Sequence, residues 1–469
     1  MRQRAAELTT QAWLAGALAL SALMTGALAA MSPVLAVTGL AAVLIAVLAV
    51  ANVTALPAFL AFTMFVESVT PSGALRIGRL AAVLALVVVV MYLLTRGRAG
   101  LRANGLLFAV GAYGLWTVLS VMWADDAGLV QETSFRYFLV LAYMLAFALL
   151  VRSTQQVVIV FGTLAIGALV FGLISFAGYA SAADDYNQLV RAKGLQGDYN
   201  FFALYEVVAL PPALVLAARA RTPGRVLLFY GVVAAIVLSV VASLSRSGLL
   251  ALASVVLVTL LLPASLFFRR ASQKVTYAFA LGAAALVVML AGASPFVERA
   301  ATIFQEQGVS GSRGSGRVDV WRAAWRSFKE SPVLGIGAGN FRSSTFDRLL
   351  QTPGVTSTEG YRSKGKYVHS MYLGNLTELG IVGFGLFMLM LSLTFSSLIA
   401  SVRRARSRGD PDLARFAAAL AVGLVGVSVS GFFLSIELAK PLWIVIGLAL
   451  ALDVMTRRLP EPPRRAASP

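Results

Sequence analysis

Apolar residues in this chain run in long uninterrupted blocks separated by short polar segments. A helix needs about 20 such residues to cross roughly 30 Å of hydrocarbon. Roughly fourteen blocks qualify, centred on 11–31, 33–51, 53–69, 77–95, 105–123, 129–151, 156–180, 198–219, 224–243, 248–268, 275–293, 371–399, 413–434 and 436–455. The third is short and the sixth opens polar, so the pattern predicts an all-α polytopic membrane protein of about 12–14 transmembrane helices. The first block follows Arg2 and Arg4 and contains Ala27-Leu28-Ala29, which mimics a signal-peptide cleavage site. It is too long for that and leads straight into further blocks, so it reads as a first transmembrane helix.

The polar segments orient the chain. With the N-terminus in the cytoplasm, the cytoplasmic loops hold Arg96, Arg98, Arg102, Arg152, Arg219, Arg221, Arg225, Arg269, Arg270, Lys274, Arg403, Arg404, Arg406 and Arg408. The tail adds Arg457, Arg458, Arg464 and Arg465, which with Arg2 and Arg4 makes 20 of the 39 basic residues. The opposite loops carry Asp125-Asp126, Asp184-Asp185 and a tight turn over 244–248. That alternation follows the positive-inside rule and puts both termini in the cytoplasm.

Composition sharpens this picture. The chain is 59% hydrophobic and 13% charged, with mean hydropathy +0.82, which excludes a water-soluble globule. Its net charge of +18 is in large part a topology signal, so nucleic-acid binding needs no place in the account. Cysteine is absent and His369 is the single histidine. Thiolate-held zinc or haem, iron–sulfur clusters, disulfides and multi-histidine metal centres are therefore excluded, and no cofactor is expected. Imidazole chemistry has one address.

Residues 294–370 form one long segment without a span, which this topology places outside. It carries eleven basic and six acidic residues, an excess suited to an anionic substrate or headgroup, or to internal salt bridging. Residues 311–316 are a flexible Gly/Ser lead-in. Val318, Trp321, Trp325 and Phe328 then recur at helical spacing, with Arg322, Arg326 and Lys329 off that stripe. This predicts a short amphipathic helix, lying in the membrane interface or packing its stripe on the rest of the loop. Ser331-Pro332 stops it. The run Gly335-Ile336-Gly337-Ala338-Gly339-Asn340-Phe341 is a weak phosphate-cradle candidate, since it fits neither a GxGxxG helix start nor a Walker motif.

Several charges fall inside predicted spans or at their outer ends: Arg136, Asp198, Glu206, Arg246, Glu378, Glu437 and Lys440. An unpaired charge in the bilayer costs roughly 2.5–3.5 kcal/mol on insertion scales, so such residues line a hydrated hollow or act as helix–helix glue. Helical rise sets Glu206 about 12 Å below Asp198, and Glu378 about 13 Å below His369. Lys364 and Lys366 beside His369 favour the neutral imidazole that a general base requires.

In order, these landmarks resemble the O-antigen ligase and O-antigen polymerase superfamily. Asp198-Tyr199-Asn200 opens a span reaching Pro211-Pro212, and Ser245-Arg246-Ser247-Gly248 makes the outer turn. Gly316-Arg317 and Trp321 precede Pro332-Val333-Leu334-Gly335-Ile336-Gly337 and Asn340-Phe341. His369-Ser370, Glu378, Gly380 and Gly383 follow. The chain has Asp-Tyr-Asn where the family more often has Asp-Pro-Asn, and His-Ser where it has His-Asn, which leaves the subfamily open.

The resemblance implies a GT-C-like glycosyltransferase of the bacterial inner membrane, with a donor glycan on undecaprenyl diphosphate at the extracytoplasmic face. The acceptor would be a glycan, lipid or other hydroxyl among membrane lipids, so ligase and polymerase both stay open. It divides the chain into N-terminal transmembrane helices over 1–194, a ligase-like core over 195–390 and C-terminal helices with a basic tail over 391–469. Arg246, Arg317 and His369 match the family's essential positions. Two guanidinium groups would offset charge growing on the diphosphate, and His369 would take the acceptor's proton. Arg191, Arg313, Asp198, Asn200, Tyr372 and Glu378 complete the expected substrate-binding set. The outer loops hold no DxD-type metal signature, so an inverting, metal-independent displacement is expected. The alternatives are a lipid-linked-glycan transporter or flippase, and a peptidoglycan polymerase working through an outer-loop carboxylate.

Overall fold

The structure is a computed structural model, and it describes residues 55–65, 77–96, 104–182, 198–278, 317–353 and 366–461. The predicted spans at 11–31 and 33–51, most of 275–293, Asp184-Asp185, the lead-in at 311–316, Lys364, Arg191 and Arg313 lie outside the described residues. Within them, the chain is helical without strands. The helices are α1 (Ala55–Thr63), α2 (Ile77–Arg96), α3 (Gly105–Leu119), α4 (Ala127–Leu150) and α5 (Thr154–Ala182). They continue with α6 (Tyr199–Arg219), α7 (Pro223–Ala242), α8 (Arg246–Leu261), α9 (Arg317–Glu330) and α10 (Asn340–Leu350). Last come α11 (Met371–Ser407), α12 (Pro411–Ser430) and α13 (Lys440–Arg457).

Seven of these are long and apolar enough to cross a membrane: α3 with its following turn, α4, α5, α6, α7, α11 and α12. The protein is thus an all-α polytopic membrane protein. α6 is buried along its whole length, packed among α5, α7, α8 and α12. α13 lies along α4 and α11, where Trp443 meets Tyr137 edge-on with ring centres 5.2 Å apart. Helices from both halves of the chain therefore share one core, and position 390 falls inside α11.

The two ends of the bundle differ in chemistry. At one, Arg219 pairs with Asp412 at 2.8 Å, Arg404 and Arg457 converge on Asp453, and Arg408 donates to the carbonyls of Thr456, Arg457 and Leu459. These are the arginines that charge alternation assigned to a common side. At the other end, side chains cap successive helix starts. Asp126 accepts from Gly128 N–H, Asp198 from Asn200 and Phe201, Ser245 from Gly248, and Ser370 from Leu373. Each cap satisfies amide groups that a helix start leaves without partners.

α9 and α10 sit on this second end, held there by a break in α11. Gly380 has φ 66° and ψ −169°, a conformation essentially restricted to glycine. The break frees carbonyls of the preceding turn, and the segment between α9 and α10 takes them up. Ile336 N–H donates to Thr377 O at 3.2 Å and Gly337 N–H to Glu378 O at 2.9 Å, while Ile381 N–H donates to Pro332 O at 2.9 Å. Trp116 Nε1–H donates to Leu379 O at 3.0 Å. A Cβ at Gly380 would lie 2.1 Å from Val333 O.

Gly380→Ala is expected to destabilise the protein by more than the roughly 1–3 kcal/mol of backbone strain alone, because the clash adds to it. Gly385, in the same helix, has open space around its Cβ position, so Gly385→Ala serves as the control. Thermal unfolding of the detergent-solubilised variants checks this: a lower midpoint for Gly380→Ala only.

Candidate active site

The site is assembled from three stretches of chain. The first joins the starts of α6 and α8. Ser245 Oγ donates to Asn200 Oδ1 at 2.7 Å and accepts from Gly248 N–H at 3.1 Å, both fully buried. Gly248 lets the two helices touch, since a Cβ there would lie 2.4 Å from that of Ala203. Leu244, just ahead, takes φ 49°. Arg246 thereby becomes the first residue of α8, next to the capped start of α6 that carries Asp198 and Tyr199.

The second stretch is α9, which opens with Arg317. Its Trp321 donates Nε1–H to Val368 O at 3.0 Å, and Val320, Ala323 and Ala324 pack with Val368, Ile336 and Phe341. Arg317 lies four residues before Trp321 and so on the same helix face. The expected aromatic stripe differs from the face that is buried. Val320, Ala323, Ala324 and Ser327 face inward, whereas Trp325 is 48% exposed and stacks on Phe328. Small side chains are needed there because Thr377 Oγ1 approaches closely enough to donate to Ala324 O at 3.1 Å.

The third stretch carries His369. Its φ of 56° makes it, with Leu244, one of two non-glycine residues in left-handed conformation among the described residues. Such geometry costs about 1–3 kcal/mol and persists only where surroundings enforce it. Here His369 N–H donates to Ser435 Oγ at 3.1 Å and Met371 N–H to Gly431 O at 2.8 Å, locking the turn into α11.

Electrostatics ties the three stretches together. Burial lowers the pKa of Arg317, and the neighbouring Arg246 lowers it further, opposed by Tyr199 and Asp198. His369 is pushed down to about 4, first by burial, then by Arg317 and Lys366, with Asp198 opposing. Arg317 is therefore close enough to feel Arg246, Asp198 and Tyr199 and to act on His369, and the imidazole is neutral near neutral pH.

Other expected site residues hold structural posts. Glu378 accepts Gly339 N–H at 2.8 Å and borders a cavity of about 30 Å³ with Tyr113, Asn375 and Glu437. Tyr372 donates its hydroxyl to Ser428 O at 2.9 Å and packs on Phe432. Asn200 is fully engaged with Ser245 as described. The Gly-rich run is no open phosphate cradle. Its amides at 335–340 donate to Ser331 O, Thr377 O, Glu378 O, Ser120 Oγ, Glu378 Oε2 and Gly337 O in turn. Ser435 was invisible in the sequence, where nothing distinguishes it from other serines in apolar surroundings.

Two arginines and a neutral histidine are thus gathered at one end of a helical bundle. Residues 230–388 match the family model described as O-antigen ligase. That part of the chain is similar to O-antigen ligases, a family that in general implies glycosyl transfer between a lipid-linked donor and an acceptor. No curated protein matches the chain. The matched segment runs from α7 into α11 and contains Arg246, Arg317 and His369.

With one histidine in the chain, a single imidazole resonance reports on this site. It should titrate near pH 4 in the free protein, and Arg317→Gln should move it toward the ordinary value of about 6.5. An NMR titration of the side-chain-labelled histidine reads both. A wild-type midpoint at the ordinary value would contradict the arrangement.

Proposed function

We propose that the protein transfers a glycan from undecaprenyl diphosphate to an acceptor hydroxyl at the extracytoplasmic face of the inner membrane, with ligase and polymerase as variants of one reaction. The observation that carries this reading is the convergence of Arg246, Arg317 and His369 from separate stretches onto one electrostatic group. Segregation of Arg219, Arg404, Arg408 and Arg457 to the opposite end supports placing this group outside.

The chemistry follows from charge. The acceptor oxygen attacks the anomeric carbon while the bond from that carbon to the diphosphate oxygen breaks. The bonding pair leaves with the diphosphate, whose growing charge faces Arg246 and Arg317. The acceptor's proton passes to His369. One displacement inverts the anomeric centre, and two guanidinium groups perform the charge stabilisation that a metal ion performs elsewhere. Asp198 offsets part of the like-charge repulsion between the arginines before substrate arrives.

An imidazole with a pKa near 4 is a weak base, and the donor itself corrects this. Burial depresses His369 most, and the positive charge of Arg317 and Lys366 depresses it further; a diphosphate would neutralise that second contribution, so binding raises the imidazole's pKa toward the operating range. The acidic limb of kcat/KM, which reports free enzyme, is therefore expected near pH 4, and that of kcat at distinctly higher pH. Coincident limbs would argue against the coupling.

In a reconstituted assay with lipid-linked donor, His369→Ala should lose about 100- to 10,000-fold in rate while the protein remains in the membrane. Arg246→Lys should forfeit much of the roughly 100-fold or more that such a donor contributes, since a point charge cannot form a bidentate fork. Turnover should persist in EDTA. Flipping without covalent transfer would favour the transporter reading instead.

A further inference from the structure

The peptide unit that joins Val368 to His369 is held at both of its poles. Its carbonyl oxygen accepts from Trp321 Nε1–H at 3.0 Å, and its amide N–H donates to Ser435 Oγ at 3.1 Å. The two partners come from different elements, Trp321 from α9 and Ser435 from the segment between α12 and α13. A ring contact joins those elements in turn, since Phe433 lies against Trp321 with centres 6.3 Å apart. The chain just beyond the histidine is tied as well. Ser370 Oγ accepts from Leu373 N–H at 3.3 Å, and Met371 N–H donates to Gly431 O at 2.8 Å.

His369 therefore sits between two fixed points, and its φ of 56° is the angle that joins them. A residue with a side chain keeps that angle only while its surroundings enforce it. φ is the rotation about the bond from the amide nitrogen to Cα, so the plane of this peptide decides where the imidazole goes. Arg317 lies one turn before Trp321 on α9, so the same hydrogen bond ties the arginine's helix to the histidine's peptide. Ser435 falls outside residues 230–388 and is not marked by the family match.

We propose that Ser435 is a positioning residue for the transfer reaction, acting with Trp321 as a two-point clamp that holds the imidazole of His369 beside Arg317. The clamp stands on the hydrogen bonds alone, and its catalytic consequence rests on the transfer reading above. Without the hydroxyl, the His369 amide loses its acceptor and the turn relaxes toward an ordinary backbone angle. A displacement of about 1 Å in a reacting group costs up to about 100-fold in rate.

Two readouts separate the clamp from the reaction. The first is the imidazole resonance of the detergent-purified full chain, held near pH 4 by burial, Arg317 and Lys366 against Asp198. Ser435→Ala should raise that midpoint toward about 6.5 as the ring leaves its buried place, and Ser435→Thr should keep the wild-type value. Ser430→Ala is the control, because that buried hydroxyl has no hydrogen-bond partner among the described residues. A wild-type midpoint in Ser435→Ala, or an equal rise in Ser430→Ala, overturns the clamp. The second readout is turnover in the reconstituted assay. Ser435→Ala should lower kcat by about 10- to 100-fold at unchanged donor KM, and Ser435→Thr should restore it. Trp321→Phe keeps the ring without the donor and should add little to Ser435→Ala, because either loss frees the same peptide. Fully additive losses overturn the two-point clamp, and a kcat loss that threonine leaves unrestored overturns the positioning role. A raised midpoint with undiminished turnover upholds the clamp and overturns the histidine's part in transfer.

Discussion

The amides of Ile336 and Gly337 reach into a broken turn of α11 and take the carbonyls of Thr377 and Glu378 as acceptors. A helix that loses its own hydrogen bonds inside a membrane protein has to find replacements, because hydrocarbon offers none. The exchange is mutual, since Ile381 N–H returns to Pro332 O. This knot fixes the segment between α9 and α10 against α11, and through it fixes α9 over the turn that carries His369. The Gly-rich run thus acts as a rigid coupling between a loop helix and a bundle helix.

Around that knot the protein gathers arginines in two places. Arg317 lies beside Arg246, with Tyr199 and Asp198 opposing their repulsion, and adds to the burial that depresses the neighbouring imidazole. Arg136 and Arg342 share the hydroxyl of Tyr367. The left-handed backbone at Leu244 and at His369 belongs to the same economy of position: each strained residue sets the entry angle of a helix whose first residues form the site.

Much of this was legible in the chain. The spans follow from apolar length, the helix starts from Asp126, Asp198, Ser245 and Ser370, and the segregation of basic ends from charge alternation. Arg246, Arg317 and His369 could be singled out because their residue types and order carry a family pattern. The aromatic stripe of α9 is not the face that the protein buries, because hydrophobicity does not say how close a neighbour comes. α11 approaches α9 so tightly that alanines occupy the contact, and Trp325 is left outside. The glycines of 335–339 misled in another way. Their amides are spent on protein acceptors, and a one-dimensional motif cannot show whether an N–H is already taken.

The sequence by itself determined that this is a polytopic helical membrane protein with a single imidazole and two marked arginines, because apolar length, charge placement and residue counts are local properties. Only the tertiary structure decided that Arg246, Arg317, Asp198 and His369 meet, that the glycine run is a coupling, and that Trp321 and Ser435 hold one peptide between them. Those facts depend on which helix ends pack together, and that is set by hydrogen bonds and close contacts between residues far apart in the chain.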